Sequence, residues 1–343
     1  MTEKFNCIKG KQSIVFEKTP YIISSASIAG KKESEGPLGK LFDVVGKDDL
    51  FGEKTWEEAE SALQKEACLL ALQKAKIGTE DVRFLFGGDL LRQGIATSYG
   101  LEELQIPLFG LFGACSTSGE ALALASMAVS AGYGDYMLAV TSSHFASAEK
   151  EFRFPLEYGN QRPLSASWTV TGSGAFVLSA DKNNGSRAKI TGTTTGIITD
   201  YGLKDSMNMG ACMAPAAAST ITRHFKDFGT RPEDYDYIIT GDLGSVGQTV
   251  LLDLLRERGY DIAKNHLDCG MLIYDSKTQD THAGGSGCGC CAVTLSAYIL
   301  RQLEDKSWKK VLFVPTGALL SKTSFNEGKT VPGIAHALVL ESS

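Results

Sequence analysis

The two halves of this sequence repeat the same succession of segments, and this duplication constrains the fold more than any other feature of the chain. Residues 78–90, GTEDVRFLFGGDL, match residues 229–243, GTRPEDYDYIITGDL, as a charged turn followed by an apolar strand that ends in Gly-Asp-Leu. Three further pairs follow in the same order, namely residues 119–132 with 289–302, 136–143 with 310–317, and 174–180 with 335–341. Any two α/β segments share part of this pattern, but four pairs in one order favour a true duplication.

The repeated segments predict two α/β halves that pack together through buried helices. Each half begins with a long helix, at residues 56–76 and 215–228, and then alternates strands with helices. Strands joined by helices of this length form mixed sheets that are covered on both faces. The helix around residues 121–129 carries no charged residue and is therefore expected between two sheets. The result is a layered αβαβα fold.

The duplication also divides the chain into two domains. We assign residues 1–185 to an amino-terminal half and residues 186–343 to a carboxyl-terminal half, with the joint at NNGS, residues 183–186. The segments at residues 99–107 and 149–163 have no counterpart in the second half. Insertions of this kind often lie on the face that carries function.

The charge and composition of the chain exclude several classes of function. Its 34 Lys and Arg against 40 Asp and Glu give a net charge of −6 with no basic block, which disfavours nucleic-acid binding. The first residues, MTEKFNCIKGKQS, lack the apolar core of a signal peptide, and no apolar run reaches the roughly 18 residues of a spanning helix. We therefore expect the eight cysteines to be reduced and any membrane association to be peripheral.

The segment LFGACSTSG at residues 111–119 predicts a tight turn from a strand into a helix, with Cys115 at the turn. A thiol at the first turn of a helix lies where backbone N–H groups and the helix dipole favour the thiolate. Such a cysteine is a candidate nucleophile, and the N–H groups beside it are candidates for binding an oxyanion. The alternative is a buried and inert cysteine, which is common in protein cores.

Two of the five histidines have positions that suggest a role near Cys115. His282 lies in the glycine-rich stretch THAGGSGCG, which mirrors the Cys115 turn in the repeat, so the two residues are expected to line one cavity. His144 follows the strand TSS and is a second candidate for that cavity. Of the other three histidines, His224 is expected on the surface and His336 in the core. His266 has no assignable role.

The sequence predicts neither a resident metal nor a nucleotide cofactor. Cys288, Cys290 and Cys291 form a C-x-C-C pattern at the start of a helix, which is not a zinc spacing, and we expect them to be small packing residues. The neighbouring glycines lack the Gly-Lys-Ser/Thr and G-x-G-x-x-G patterns of phosphate-binding loops.

The turn at Cys115, the facing glycine-rich stretch and the duplication together resemble the thiolase superfamily, and within it the ketoacyl synthases of the third type. This resemblance implies that Cys115 matches the nucleophile and that His282 falls close to the Asn of the synthases. Where the synthases carry their His, this chain reads ITGDLG at residues 239–244, so that Gly241 or Asp242 replaces it. A carboxylate beside a thiol raises the thiol pKa, which disfavours the condensing reaction.

A closer resemblance, to the stage V sporulation protein AD family of spore-forming Firmicutes, extends over segments that ordinary synthases do not share. It is carried by residues 18–43, 112–129, 152–175 and 280–290. This resemblance implies a protein that binds dipicolinic acid, alone or as its calcium chelate, while the compound is loaded into the developing spore. It also implies membrane-embedded partners from the same operon and a peripheral position on the cytoplasmic side of the spore inner membrane. A condensing or acyl-transfer enzyme that uses Cys115 is the alternative function.

The resemblance also implies a set of ligand-binding residues. His282 and the N–H groups after Cys115, beginning with Ser116, are candidates for one carboxylate of dipicolinate. His144 or Arg162 is a candidate for the other, and Asp242 for an oxygen ligand of calcium. Because proteins of the thiolase fold generally pair across a sheet edge, a homodimer is expected.

Overall fold

A computed structural model describes residues 7–152, 161–182 and 186–343 of the chain. Residues 183–185 of the expected joint, and residues 153–160 of the second insertion, lie outside the described residues. The strands are Ile8–Lys9 (β1), Ser13–Val15 (β2), Tyr21–Ala29 (β3), Val44–Val45 (β4), Val82–Gly88 (β5), Leu108–Gly110 (β6), Tyr136–Ser143 (β7), Trp168–Thr169 (β8), Gly172–Ser179 (β9), Ala188–Thr194 (β10), Tyr237–Thr240 (β11), His266–Asp268 (β12), Gly285–Ser286 (β13), Lys310–Val314 (β14), Thr316–Ala318 (β15), Gly333–Ala335 (β16) and Ala337–Glu341 (β17).

The helices follow the strands in alternation through most of the chain. They are Lys31–Ser34 (α1), Trp56–Ala75 (α2), Ile95–Leu101 (α3), Thr117–Ser130 (α4), Phe145–Phe152 (α5), Met209–Phe228 (α6), Gly244–Glu257 (α7), Cys269–Ile273 (α8), Cys288–Thr294 (α9), Leu300–Glu304 (α10) and Lys322–Asn326 (α11). One π turn, Leu295–Ile299, joins α9 to α10. In the described part of the chain, no helix is both long enough and apolar enough to cross a membrane.

The two halves have the same sheet topology, which confirms the duplication predicted from the sequence. The strand order is β6-β5-β7-β9-β3 in the amino-terminal half and β12-β11-β14-β17-β10 in the carboxyl-terminal half. Numbered along the chain within each half, both orders read 3-2-4-5-1. In both halves the fifth strand, β9 or β17, runs antiparallel to its two neighbours, whereas the second strand is parallel to the third and fourth.

Each repeated sequence segment occupies the same position in its half. The four pairs form β5 and β11, α4 and α9–α10, β7 and β14, and β9 and β17. The first strands of the halves, β3 and β10, pair antiparallel at Ile22 with Ala188 and at Tyr21 with Lys189. The two half-sheets are thereby joined at this edge.

The helices α4 and α9 lie between the half-sheets, as the uncharged stretch at residues 121–129 predicts for α4. Their apolar side chains form a central cluster with side chains of both sheets, including Leu122, Val293, Phe176 and Phe313. The helices approach the sheets closely: a Cβ atom on Gly174 would lie 2.7 Å from the backbone carbonyl carbon of Ala292. Two further clusters lie beneath the outer helices, one under α2 and one under α6 and α7. The layers are therefore αβαβα.

Both long outer helices are present, but the second begins earlier than predicted. The helix α2 starts with a capping box in which Thr55 accepts from the Glu58 N–H and ends at Lys76 in the left-handed conformation. The helix α6 was expected to begin at Pro215, yet it begins at Met209, with the Asn208 side chain accepting from the Ala211 N–H. Proline favours the first turn of a helix, but here it stands inside one, where it leaves a backbone hydrogen bond unmade.

Two histidines outside the candidate site have well-defined environments. His224 was expected on the surface, and this expectation is wrong because the ring is buried between Thr194 Oγ1 at 2.8 Å and Tyr235 Oη at 2.6 Å. Burial lowers the pKa of His224 to about 3. His336 is buried, as predicted.

Candidate functional site

The predicted turn from strand to helix at Cys115 is present and is closed by local hydrogen bonds. Ala114 has a positive φ of 51°. The Thr117 hydroxyl accepts from the Gly113 N–H at 2.9 Å and donates to the Ala114 carbonyl at 2.6 Å. The Ser116 hydroxyl donates to the Gly113 carbonyl at 2.6 Å. Small residues and hydroxyls therefore fix the backbone on both sides of the thiol, which lies just before α4.

The duplication brings Asp242 of the carboxyl-terminal half against Cys115 of the amino-terminal half. Asp242 follows β11, and its carboxylate accepts a hydrogen bond from the Cys115 thiol. The Thr316 hydroxyl donates to Oδ1 at 2.8 Å, and the Gly287 N–H donates to Oδ2 at 3.0 Å. Asp242 is thus held by Thr316 of β15 and by Gly287, the residue before α9.

The electrostatics of this pair oppose activation of the thiol. Burial raises the pKa of Asp242 to about 7, although hydrogen bonds from Cys115, Gly287 and Thr316 counteract the increase. Burial, and secondly the charge of Asp242, raise the pKa of Cys115 well above its ordinary value. Cys115 is therefore a thiol at neutral pH, whereas a cysteine nucleophile needs the thiolate.

The backbone N–H groups that follow Cys115 already have partners. The Ser116 N–H donates to the Gly113 carbonyl at 3.1 Å, and the Thr117 N–H donates to the Ala114 carbonyl at 3.2 Å. An anion at this place would have to replace both bonds. The structure thus combines the geometry of a nucleophile turn with a protonated thiol and occupied N–H groups.

The charge of a second Gly-Asp-Leu aspartate, Asp89, acts on Cys288 at the start of the other buried helix, and sequence reasoning missed this. The Gly-Asp-Leu of the amino-terminal half supplies Asp89, which accepts from the Leu91 N–H and from the N–H and hydroxyl of Thr97. Burial, the neighbouring Cys291, and then the charges of Glu60 and Asp89 raise the pKa of Cys288. The Gly-Asp-Leu triplet in both repeats was the signal that could have predicted this arrangement.

Arg162 and His282 lie together at a second location, where they bind the carboxylate of Asp280. Arg162 Nη2 donates to Asp280 Oδ2 at 2.9 Å, and His282 Nε2 lies 3.1 Å from Oδ1. The other ring nitrogen of His282, Nδ1, lies 2.9 Å from the Pro163 carbonyl oxygen. The Arg162 guanidinium also lies over the Trp168 ring, 4.7 Å from its centre.

His144 lies at a third location and is bound to the backbone on both sides of its ring. Its Nε2 is 2.7 Å from the Asp49 carbonyl oxygen, and its Nδ1 accepts from the Ala146 N–H at 3.2 Å. Burial lowers the pKa of His144, so the ring is neutral. This side chain orients the start of α5.

The six predicted ligand-binding residues therefore fall into three groups. Cys115, Ser116 and Asp242 meet at the turn before α4, Arg162 and His282 meet at Asp280, and His144 lies at Asp49. Among the contacts of the described residues, none joins His282 to Cys115. The expectation that both line one cavity stays a prediction.

A cleft of about 530 Å³ is lined by residues of both halves, and Cys115 is not one of them. Phe112, three residues before Cys115, lies on one side together with Leu91 and Arg92. Leu320 and Lys322 line it from the carboxyl-terminal half. The lining is mixed, with apolar walls and charged side chains.

The three clustered cysteines are buried in α9 and lie beside backbone carbonyls. Cys288 Sγ is 2.8 Å from the Ser142 carbonyl oxygen, and Cys291 Sγ is 3.7 Å from that of Cys115. In the ranges that the structure describes, no group of three or more His, Cys, Asp or Glu is arranged to hold a metal ion.

Sequence comparison finds a family and a relative that match nearly the whole chain. The family described as stage V sporulation protein AD matches residues 10–341. The stage V sporulation protein AD of Bacillus subtilis (strain 168) is 46% identical over 334 residues, which cover 97% of this chain and 98% of that protein.

Solved structures with the same fold are much more distant in sequence. The cerulenin-bound OleA of Xanthomonas campestris aligns with a TM-score of 0.59 at 16% identity, over 95% of this chain and 97% of that chain. The human mitochondrial 3-ketoacyl-CoA thiolase in complex with CoA aligns with a TM-score of 0.58 at 12% identity, over 96% and 99%. The 3-oxoacyl-[acyl-carrier-protein] synthase III of Aquifex aeolicus aligns with a TM-score of 0.54 at 13% identity, over 94% and 99%. The fold is thus thiolase-like, as predicted.

Proposed function

Because this chain belongs to the stage V sporulation protein AD family, we propose that it binds dipicolinic acid during the loading of that compound into the developing spore. Family membership is the observation that carries the proposal, and it makes the chain a sporulation protein. Dipicolinate is a flat aromatic dianion. The proposal covers binding of the free compound and of its calcium chelate.

The pair of Arg162 and His282 supports the proposal because it is already arranged around a carboxylate. Arg162 offers a planar guanidinium, which suits two oxygen atoms of one carboxylate. Both ring nitrogens of His282 face oxygen acceptors, so the ring donates to a carboxylate beside Arg162 when both nitrogens carry a proton. The side chains of Arg162 and His282 are only 4% and 18% exposed, so they are partly shielded from water. We therefore propose this pair as the anchor for one carboxylate of dipicolinate.

The protonation of Cys115 and the hydrogen bonds beside it support a binding function rather than catalysis. The raised pKa of Cys115 keeps it protonated, and the N–H groups after it donate to Gly113 and Ala114. Acyl transfer by Cys115 needs a thiolate, which this environment disfavours, and the Ser116 and Thr117 N–H groups are not free to bind an oxyanion.

Titration calorimetry tests the proposal with dipicolinate and with its calcium chelate. We expect saturable binding by the full chain and a loss of at least about tenfold in affinity for Arg162→Gln, which removes a charged hydrogen bond. Arg256→Gln serves as the matched control, because Arg256 forms an exposed ion pair with Asp253 at a distant site. Absence of saturable heat with either form of the ligand would refute the proposal.

A second candidate function is acyl transfer by Cys115. The specific observations that favour it are the position of Cys115 at the turn before α4 and a partly apolar cleft lined by Phe112, three residues before Cys115. Incubation with acyl-CoA followed by intact-mass measurement distinguishes the two functions. An adduct that maps to Cys115 would support acyl transfer, and an unmodified protein would exclude it.

We further propose a homodimer that acts with membrane-embedded proteins of the same operon at the cytoplasmic side of the spore inner membrane. The edge strand β6 supports the dimer, because Leu108 and Phe109 are 42% and 50% exposed there. An exposed apolar edge strand is a natural site for pairing with a second copy.

A further inference from the structure

The carboxylate of Asp280 occupies the position that the carboxylate of a ligand would take at Arg162 and His282. Its two oxygens are divided between the two donors, with Oδ2 on Arg162 at 2.9 Å and Oδ1 near His282 at 3.1 Å. The Asp280 side chain is 76% exposed, whereas that of Arg162 is 4% exposed. The exposed carboxylate of Asp280 thus covers the buried guanidinium of Arg162.

The two donors are held in place by contacts that do not involve the Asp280 carboxylate. His282 Nδ1 faces the Pro163 carbonyl at 2.9 Å, which fixes the direction of the opposite ring nitrogen. Arg162 lies over the Trp168 ring and also donates to the backbone carbonyl of Asp280 at 2.8 Å. Both donors would therefore keep their orientation if the carboxylate moved away.

The backbone that leads to Asp280 is fixed as well. Lys32 Nζ donates to the Gln279 carbonyl at 2.7 Å, and the Gln279 side chain donates back to the Lys32 carbonyl at 2.7 Å. The Lys32 ammonium lies over Trp168, 4.3 Å from the ring centre. The side chain of Asp280 can therefore turn towards solvent without displacement of the loop.

We propose that Asp280 is an internal carboxylate that competes with the ligand for Arg162 and His282. The ligands that fit this exchange are carboxylates, with an aromatic dicarboxylate as the class that follows from the proposed function, on which this inference rests. The apparent affinity for the ligand falls when a smaller fraction of the molecules has an open site, because only those molecules can bind. An exposed acid gives up its ion pair at low free-energy cost, so the competition reduces affinity by up to about fivefold.

Asp280→Gly tests the competition directly. Asp280 has a positive φ of 53°, which glycine adopts readily, so the loop is expected to keep its conformation. The backbone carbonyl that accepts from Arg162 is retained. We expect dipicolinate to bind about fivefold more tightly to this variant by titration calorimetry.

Two further variants make the result interpretable. Asp253→Asn is the control for the change in net charge, since Asp253 is a 66% exposed acid paired with Arg256. We expect this variant to bind dipicolinate with the affinity of the wild type. Asp280→Asn keeps the shape of the side chain and one acceptor, so we expect a smaller gain. Thermal unfolding of each variant establishes that it is folded.

The outcomes separate this inference from the proposed function. Binding to Asp280→Gly that is tighter than binding to the wild type supports the competition. Wild-type binding with no gain in either Asp280 variant overturns the competition and leaves the proposed function standing. Absence of binding to the wild type and to both variants overturns both.

Discussion

At the scale of single residues, the main feature is a buried thiol hydrogen-bonded to a buried acid. The resemblance to the synthases predicted Gly241 or Asp242 where they carry a histidine, and in the structure it is Asp242 that contacts Cys115. The sequence could not show that Cys115 and Asp242 are both buried. Burial changes the chemistry of these two side chains more than their residue types alone do. Nor could it show that Asp280 would bind both Arg162 and His282.

Asp242→Asn is expected to make Cys115 more reactive. Removal of the acid lowers the pKa of Cys115, although burial keeps it above the ordinary value. We expect alkylation of Cys115 at about pH 8 to be at least about threefold faster in the variant, measured by peptide mass spectrometry. Cys7, which is only partly buried, serves as the internal control. Wild-type Cys115 that reacts as fast as Cys7 would contradict the described environment.

Another buried acid, Glu60, is expected to make folding depend on pH. Burial, and secondly the charge of Asp89, raise the pKa of Glu60 from 4.5 to about 8. Because the folded pKa is the higher one, the stabilising contribution is complete below pH 4.5 and is lost as the pH rises to about 8. Burial raises the pKa of Asp242 and of Glu33 to about 7, so these two acids change the stability with pH in the same direction as Glu60.

Glu60→Gln tests this dependence. The neutral amide has a similar shape, so we expect the fall in the free energy of unfolding between about pH 6.5 and 9 to shrink by at least about 1 kcal/mol. The buried His224, His266 and His336 stay neutral in this range, since burial lowers their pKa to about 3, 4 and 4. Urea unfolding at several pH values measures the change, with the exposed Glu66→Gln on the same helix as the control. Equal pH slopes for Glu60→Gln and Glu66→Gln would be evidence against a protonated Glu60.

At the scale of elements, periodicity and charge predicted most helices and strands, and local chemistry explains the main error. The uncharged stretch at residues 121–129 identified a helix between two sheets, since only a buried helix can lack a polar face. The start of α6 was misplaced because Pro215 has the character of a first-turn residue, while the Asn208 cap lies seven residues earlier. The bounds of such a helix depend on packing, which the sequence does not display.

Gly174→Ala tests the close packing of α9 on the sheet. The added Cβ would lie 2.7 Å from the Ala292 backbone, so either the helix or β9 must shift. We expect a loss of about 1–3 kcal/mol in the free energy of unfolding by urea. Gly110→Ala is the control, because a Cβ there has no atom within 4 Å among the described residues. Equal stability of the two variants would contradict the close approach.

At the scale of the whole molecule, the structure confirms the duplication, whereas the common cavity of His282 and Cys115 stays a prediction. Four sequence pairs were enough to predict two equivalent halves, because each pair corresponds to an element in the same position of the 3-2-4-5-1 order. The same reasoning extended to His282 and Cys115, but a shared topology sets backbone positions and not side-chain partners. In the structure the partner of Cys115 is Asp242, and the partner of His282 is Asp280.

The proposed homodimer is tested at the edge strand β6. Leu108→Lys places a charge on a residue that is 42% exposed at this edge, and we expect it to shift the protein from dimer to monomer in light scattering coupled to gel filtration. Tyr133→Lys, at a 66% exposed position away from β6, is the control. A wild type that is monomeric at all concentrations, or a dimeric Leu108→Lys variant, would exclude pairing through β6.

The crystal structure of the full chain with dipicolinate tests the central claim most directly. We predict density for the ligand with one carboxylate about 3 Å from Arg162 and His282, and the Asp280 side chain turned to solvent. Ligand bound elsewhere, or Asp280 still on both donors in a crystal saturated with dipicolinate, would contradict it.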